Sequence, residues 1–371
     1  MTQKNERNIK ADVIRGFAII TVILGHCIQE GNGIEYSSSM MFFSNKAYQF
    51  IYSFHMPLFM LIAGWFAYLS ISGIEKNGKS IGGFIGKKTL LYLLPVFLWS
   101  VFEYVRGYIV NTSLGNETGT LTDLIPSFFS YFLRNLWFLW AVFVCLIIVT
   151  LIHFYLKDSW IAYAILFVAA FFITDDVNLG MYKYLLPYYV SAFYIHKNKD
   201  RLMTSKAGKK TVDLYRSRPG ICLVVCGLIF AGLFLFYRPR AFIYMSGYTL
   251  INGGGIIQFA VDMYRMIIGF AGSLFFILLW SRIVDISNGY SWKILTLFGK
   301  NSLGIYILQG YYILLCMVNI TNSFEPGAWR IIIETICIAV VSLVTTIIMD
   351  KIPIIRCMIG KPFFKKKTDN K

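Results

Sequence analysis

Charge is what this chain has least of. Asp, Glu, Lys and Arg make up 15% of its 371 residues, against about 25% in a soluble domain. Apolar residues make up 57% and mean hydropathy is +0.61. Those residues fall in long runs, so the chain reads as a polytopic membrane protein. Acids are scarcest, 19 against 35 basic residues, for a net charge of +16. The basic residues sit between the apolar runs, where the positive-inside rule explains them, so no nucleic-acid partner is expected.

Cysteine pairing is missing too. Cys27, Cys145, Cys222, Cys226, Cys316 and Cys337 lie inside apolar runs and Cys357 lies just past the last. They read as small buried hydrophobes, not as disulfides or metal ligands. His153 and His196, at the inner ends of their runs, are at no metal-ligand spacing and read as interfacial residues; no metal is expected. No cleavable signal peptide is evident, because Met1 to Lys10 is polar and the first apolar run leads into others. Asn252-Gly253-Gly254-Gly255 lacks the following Lys of a phosphate cradle and reads as a flexible outer loop. No fixed-period repeat suggests a solenoid or an inverted-repeat transporter.

What is present is ten apolar segments, at about 12–29, 49–72, 88–110, 136–156, 159–174, 181–196, 219–237, 259–281, 301–320 and 329–350. The expected fold is an all-α integral membrane bundle of about ten transmembrane helices, one domain over 1–371. With the N-terminus inside, 26 of the 35 Lys and Arg fall on inner segments and six on outer ones. Arg15, Arg106 and Arg265 fall within spans. Both termini are therefore expected in the cytoplasm. The main basic clusters are the loop at about 197–218 and the C-terminal tail at about 351–371. Both suit anionic lipid headgroups, or attraction of an anionic cytosolic substrate.

Ionisable groups inside apolar spans are costly and are site candidates. Asp12, Arg15 and His26 share the first span. Eleven residues at about 100° each come to three turns plus roughly 20°, so Arg15 and His26 lie on one face, about 16 Å apart. Asp12 can pair with Arg15 at i+3. Neutral imidazole can take a proton from a hydroxyl, and a guanidinium fork suits phosphate or carboxylate. The competing readings are a packed structural histidine and an arginine that snorkels to the headgroups. His55 lies near the outer end of the second span, as His26 does on the first, which suggests a shared polar cavity. Pro57 should open the helix there. Glu103 with Arg106 and Asp262 with Arg265 are i,i+3 ion pairs expected to line the bundle interior. Arg134 precedes Leu136-Trp137-Phe138-Leu139-Trp140 at an outer interface. Glu334 is a lone acid that needs a partner. The many Tyr and Trp at span ends read as interfacial belts.

Several blocks resemble the membrane acyltransferase-3 family. They are Arg15 and His26 with Gly25; Phe54-His55-Met56-Pro57-Leu58-Phe59 with Ala63-Gly64; Leu136-Trp137-Phe138-Leu139; and Gly299-Lys300-Asn301-Ser302-Leu303-Gly304-Ile305-Tyr306-Ile307-Leu308. Their spacing is similar to the fucose 4-O-acetylase-like branch, which includes capsule and exopolysaccharide O-acetyltransferases. Two positions depart from that pattern: Ala63 stands where Ser is usual, and Gln309 where the late block commonly has His.

The resemblance implies a multi-pass enzyme of the cell (plasma or inner) membrane. It would move an acetyl group from cytosolic acetyl-CoA to a hydroxyl of a cell-surface or lipid-linked glycan. No permanently bound cofactor is expected, and acetyl-CoA would be a substrate. His26 would be the general base or a transient acetyl carrier, and Arg15 would position the donor. Asp12, His55, Glu103, Arg106, Arg134, Trp137, Asp262, Arg265 and Gln309 are the expected substrate-binding or site-lining residues. The expected partners are acetyl-CoA, a glycan or lipid-linked oligosaccharide, and membrane lipids. The competing readings are a transporter or flippase of a glycan precursor, and an acyltransferase with a non-polysaccharide acceptor.

Overall fold

The computed structural model describes residues 8–31, 40–78, 80–115, 121–251, 255–287, 292–316 and 327–363. The glycine run at 252–254 and the end of the basic tail lie outside them. Among the described residues every regular element is helical. The first ones are α1 (Ile9–Gly31), α2 (Lys46–Tyr52), α3 (His55–Lys76), α4 (Ile81–Ser113), α5 (Leu121–Arg134), α6 (Trp137–Leu156) and α7 (Trp160–Ala170). There follow α8 (Leu179–Lys197), α9 (Lys199–Thr204), α10 (Lys206–Ser217), α11 (Pro219–Phe234), α12 (Gly255–Ile286), α13 (Lys293–Cys316) and α14 (Ala328–Lys351).

A helix stands at each of the ten apolar segments. Six spans among the described residues are long and apolar enough to cross a bilayer, or seven with a bent pair. That is fewer than ten, and the polarity of the interior is the reason. The 19-residue α8 buries Lys183 and several tyrosines, and α13 buries Asn301 and Gln309. Helices that face protein instead of lipid need less apolar surface. At 11 residues α7 is too short to span alone. The bent pair is α10 with α11, turned by 104°. Pro219 begins α11 and pushes Arg218 out of the helical region, to φ −137°. The basic α10 thus runs across the axis of α11.

The centre of the bundle is α1, on which Val13, Ala18, Ile19, Ile23 and Cys27 are fully buried. Its main partner is α13, and α14, α3 and α12 pack around it. Lipid gives helices little hydrophobic drive to associate, so close backbone approach carries much of the packing. A Cβ on Gly16 would lie 2.0 Å from the Leu295 carbonyl oxygen, and one on Gly299 would lie 1.7 Å from that of Asp12. The two glycines therefore let α1 and α13 touch, backbone to backbone. Gly64 does the same for α3 against Tyr189 of α8, at 2.1 Å.

One end of the bundle is tied by charge. His153 is buried, not interfacial: it bonds Asp158 at 2.5 Å and Glu75 at 3.0 Å. Lys197 and Tyr163 also bond Asp158. Four helices thus meet on the turn after α6. His196 stacks on Trp65 and bonds its carbonyl at 2.6 Å. Glu334 is not alone, for Arg330 pairs with it at 2.9 Å, so Arg330 is no surface cation.

Two stability predictions follow from these contacts. Gly299→Val should lower the melting temperature of the purified protein, since overpacking a core costs about 1–3 kcal/mol. Gly107→Ala, where an added Cβ meets nothing within 4 Å, should leave it unchanged or raise it. Equal melting for both variants would contradict the contact. For Asp158, burial raises the carboxyl, but bonds and charge from His153 and Lys197 outweigh this and hold it below the usual range. A depressed carboxylate stabilises above its unfolded value and loses that contribution as pH falls through the folded one. Melting temperature should therefore fall below about pH 4, and Asp158→Asn should melt lower at neutral pH with a shallower acid limb.

Candidate active site

Two adjoining cavities open along α1. The first, of about 260 Å³, is lined by Arg15, Tyr92, Phe138, Lys300, Ser302 and Tyr306 among others. The second, of about 170 Å³, is lined by His26, His55, Tyr52, Trp137, Tyr244, Tyr306 and Gln309. They share Val22, Met56 and Tyr306 as a common wall. A small third space of about 20 Å³ continues from the second towards Tyr184 and Arg265.

The sequence explains how each side chain arrives. The Gly16–Leu295 and Gly299–Asp12 contacts set α13 beside the start of α1, which puts Lys300 and Ser302 in the same cavity lining as Arg15. Arg15 lies 3.9 Å from the Asp12 carboxylate and sits 4.5 Å over the Phe66 ring. Asp12 is buried, and Arg15 keeps 28% of its side chain exposed. Three turns further along α1, His26 bonds the Gln29 side chain.

His55 comes from the break between α2 and α3. Pro57 falls in the first turn of α3, where its missing N–H is tolerated. The break lets His55 Nδ1 lie 2.8 Å from the Ile51 carbonyl oxygen. A carbonyl only accepts, so Nδ1 carries the hydrogen and Nε2 of the neutral ring is left as an acceptor. Tyr52 packs edge-on against this ring at 4.5 Å. Trp137 begins α6, just after Leu136, which holds a left-handed φ of 45° and lines the same cavity. Such strain in a non-glycine residue collects at functional sites.

The structure brings Asp12, Arg15, His26, His55, Trp137 and Gln309 together around α1. The other expected site residues stand elsewhere. Glu103 and Arg106 pair at 2.8 Å, but Arg106 lines an apolar surface cleft of about 510 Å³. Arg134 is exposed at the end of α5. Asp262 and Arg265 pair at 2.9 Å behind the histidine cavity. Arg265 donates to Ala241 O at 2.8 Å, Gly247 O at 3.0 Å and Ser246 Oγ at 2.5 Å. It staples the segment 241–247, which carries Tyr244 into the cavity.

Sequence reasoning missed Tyr52, Tyr244 and Tyr306, reading span-end tyrosines as belts. Only Tyr306 had a signal, its place in the Gly299–Leu308 block. The lining also adds Tyr92, Lys300 and Ser302.

The fold and its cavities define a helical multi-pass membrane protein, with two histidines lining one cavity and a cationic cavity adjoining it. The chain belongs to the acyltransferase-3 family, whose acyltransferase domain matches residues 8–351. Nodulation protein NolL of Mesorhizobium japonicum is 30% identical over 190 residues, 51% of this chain and 48% of that protein. Nodulation protein NolL of Sinorhizobium fredii is 26% identical over 220 residues, 59% of this chain and 57% of that protein. The chain thus spans about half the length of the curated relatives it matches. No solved structure matches it.

Arg265→Lys tests the staple. A lysine keeps the charge but replaces a planar fork with a single ammonium. Acyl transfer should fall at least about tenfold, the effect of losing one or two charged hydrogen bonds. Limited proteolysis within 241–247 should quicken. Unchanged transfer and cleavage would remove Arg265 from any supporting role.

Proposed function

We propose that the protein is an O-acyltransferase that moves an acetyl group from cytosolic acetyl-CoA to a hydroxyl of a cell-surface or lipid-linked glycan. The observation that carries this reading is the pair of adjoining cavities, one lined by Arg15 and Lys300, the other by His26 and His55. In it both termini lie in the cytoplasm and the chain sits in the plasma or inner membrane. Its likeness to the polysaccharide O-acetyltransferase branch supports the same chemistry.

The polyanionic donor enters beside Arg15 and Lys300, whose charges suit CoA phosphates. Tyr92 and Ser302 offer hydroxyls along the way. The thioester reaches the common wall, and the acceptor hydroxyl lies in the histidine cavity. His26 takes the hydroxyl proton as the oxygen attacks the thioester carbonyl carbon. The tetrahedral intermediate collapses with cleavage of the C–S bond, and the imidazolium returns the proton to the leaving thiolate. His55, with Nδ1 tied to Ile51, leaves Nε2 to accept from a different hydroxyl of the acceptor. A transient acetyl-imidazole on His26 is the other route through the same residues.

The test compares wild type, a gene deletion and His26→Ala in the native host, with membrane insertion checked and O-acetyl groups of surface polysaccharide counted by NMR. His26→Ala should lower acetylation at least about 100-fold, the low end for a lost general base. Full acetylation in that variant would sink the role of His26. A deletion strain with unchanged polysaccharide would redirect the search to another acceptor, or to transport.

A further inference from the structure

Among the described residues, Gln309 is the one polar residue of the histidine cavity whose buried oxygen has no partner. It lies on α13 with 5% of its surface exposed, and its Oε1 accepts no hydrogen bond among the described residues. It lines the same space as His26 and His55. Leaving a buried amide oxygen unpaired is costly, and replacing it with an apolar group of similar shape is neutral or favourable to folding. A group kept in that state points to a ligand that completes it.

The cavity states the chemistry of that ligand. None of its lining residues is Asp, Glu, Lys or Arg, so a charged group would enter without a counter-ion and lose its hydration. Its polar members are neutral: two imidazoles, tyrosine hydroxyls, an indole and the amide. The space of about 170 Å³ would hold about half a dozen waters at roughly 30 Å³ each. A hydroxyl both donates and accepts, so it satisfies either end of the amide.

We propose that Gln309 reads a second hydroxyl of an uncharged polyol acceptor, while a neighbouring hydroxyl of the same ring meets His26. This rests on the acyltransferase reading and adds to it. The acceptor must present two hydroxyls to one cavity, and Gln309 selects against a ring that lacks the second. A site built to bond a hydroxyl rejects the deoxy analogue strongly, because its own polar group is then stranded.

The experiment uses the full-length protein, radiolabelled acetyl-CoA, and polysaccharide purified from a strain deleted for the gene. Wild type and Gln309→Leu are compared for KM towards each substrate and for melting temperature without ligand. The expected result is an acceptor KM raised at least tenfold, an unchanged KM for acetyl-CoA, and a melting temperature equal to or above wild type. A lower melting temperature would show that the amide serves the fold and would overturn the proposal. So would an unchanged acceptor KM. Absence of transfer by the wild type overturns the acyltransferase reading instead, and the melting comparison then decides Gln309 by itself.

Discussion

Two helix backbones touch where Gly16 meets Leu295 and Gly299 meets Asp12, and the site depends on that contact. Between helices in lipid, van der Waals packing has to supply what the hydrophobic effect supplies in water. Backbones that meet without intervening side chains give dense packing and fix the register. That register sets which residues of α13 face α1. Near the contact, Lys300 and Ser302 stand beside Arg15. Further along, Tyr306 and Gln309 stand in the cavity of His26. A single crossing of two helices therefore sets the cationic and the histidine regions at once.

Polar groups inside the bundle divide into two populations. In the first, each charge has a partner: Asp262 with Arg265, Glu334 with Arg330, Asp175 with Lys183. These pairs offset the cost of burial and hold segments in place. Asp175 shows the pattern outside the helices, where it accepts from the backbone of Tyr248 and Thr249 and so ties two loops together. In the second population a bonding position faces a cavity. His55 has Nδ1 committed and Nε2 available, and Gln309 has an unpaired oxygen. The first population is scaffold, and the second is where chemistry is to be sought.

Much of this was legible in the sequence. Long apolar runs give helices, and all ten segments carry one. A 3.6-residue period gives the face shared by Arg15 and His26, and both line the paired cavities. Periodicity within one helix does not say which neighbour that face meets. Glu103–Arg106 and Asp262–Arg265 have the same i,i+3 spacing as Asp12–Arg15, yet one pair faces a surface cleft and the other braces a loop. Tyr244 sits on a one-turn helix, Ile243–Ser246, too short to show a period, and the Arg265 staple holds that turn inward. Glu334 reads as solitary until the helix places Arg330, four residues earlier, on its own face.

The wall between the two cavities has an electrical consequence. A protein with polar spaces reaching deep into the bilayer risks a file of water, along which protons could run down the membrane potential. Val22 and Met56 place hydrocarbon and thioether at the junction, and Tyr306 closes it with a ring. Moving one elementary charge across the membrane is worth about 2.3 kcal/mol per 100 mV, so even a narrow leak would tax the cell continuously. An apolar junction raises the barrier for hydronium, while an uncharged group would pass it at little electrostatic cost. The three residues shared by the cavities stand where such insulation would be needed.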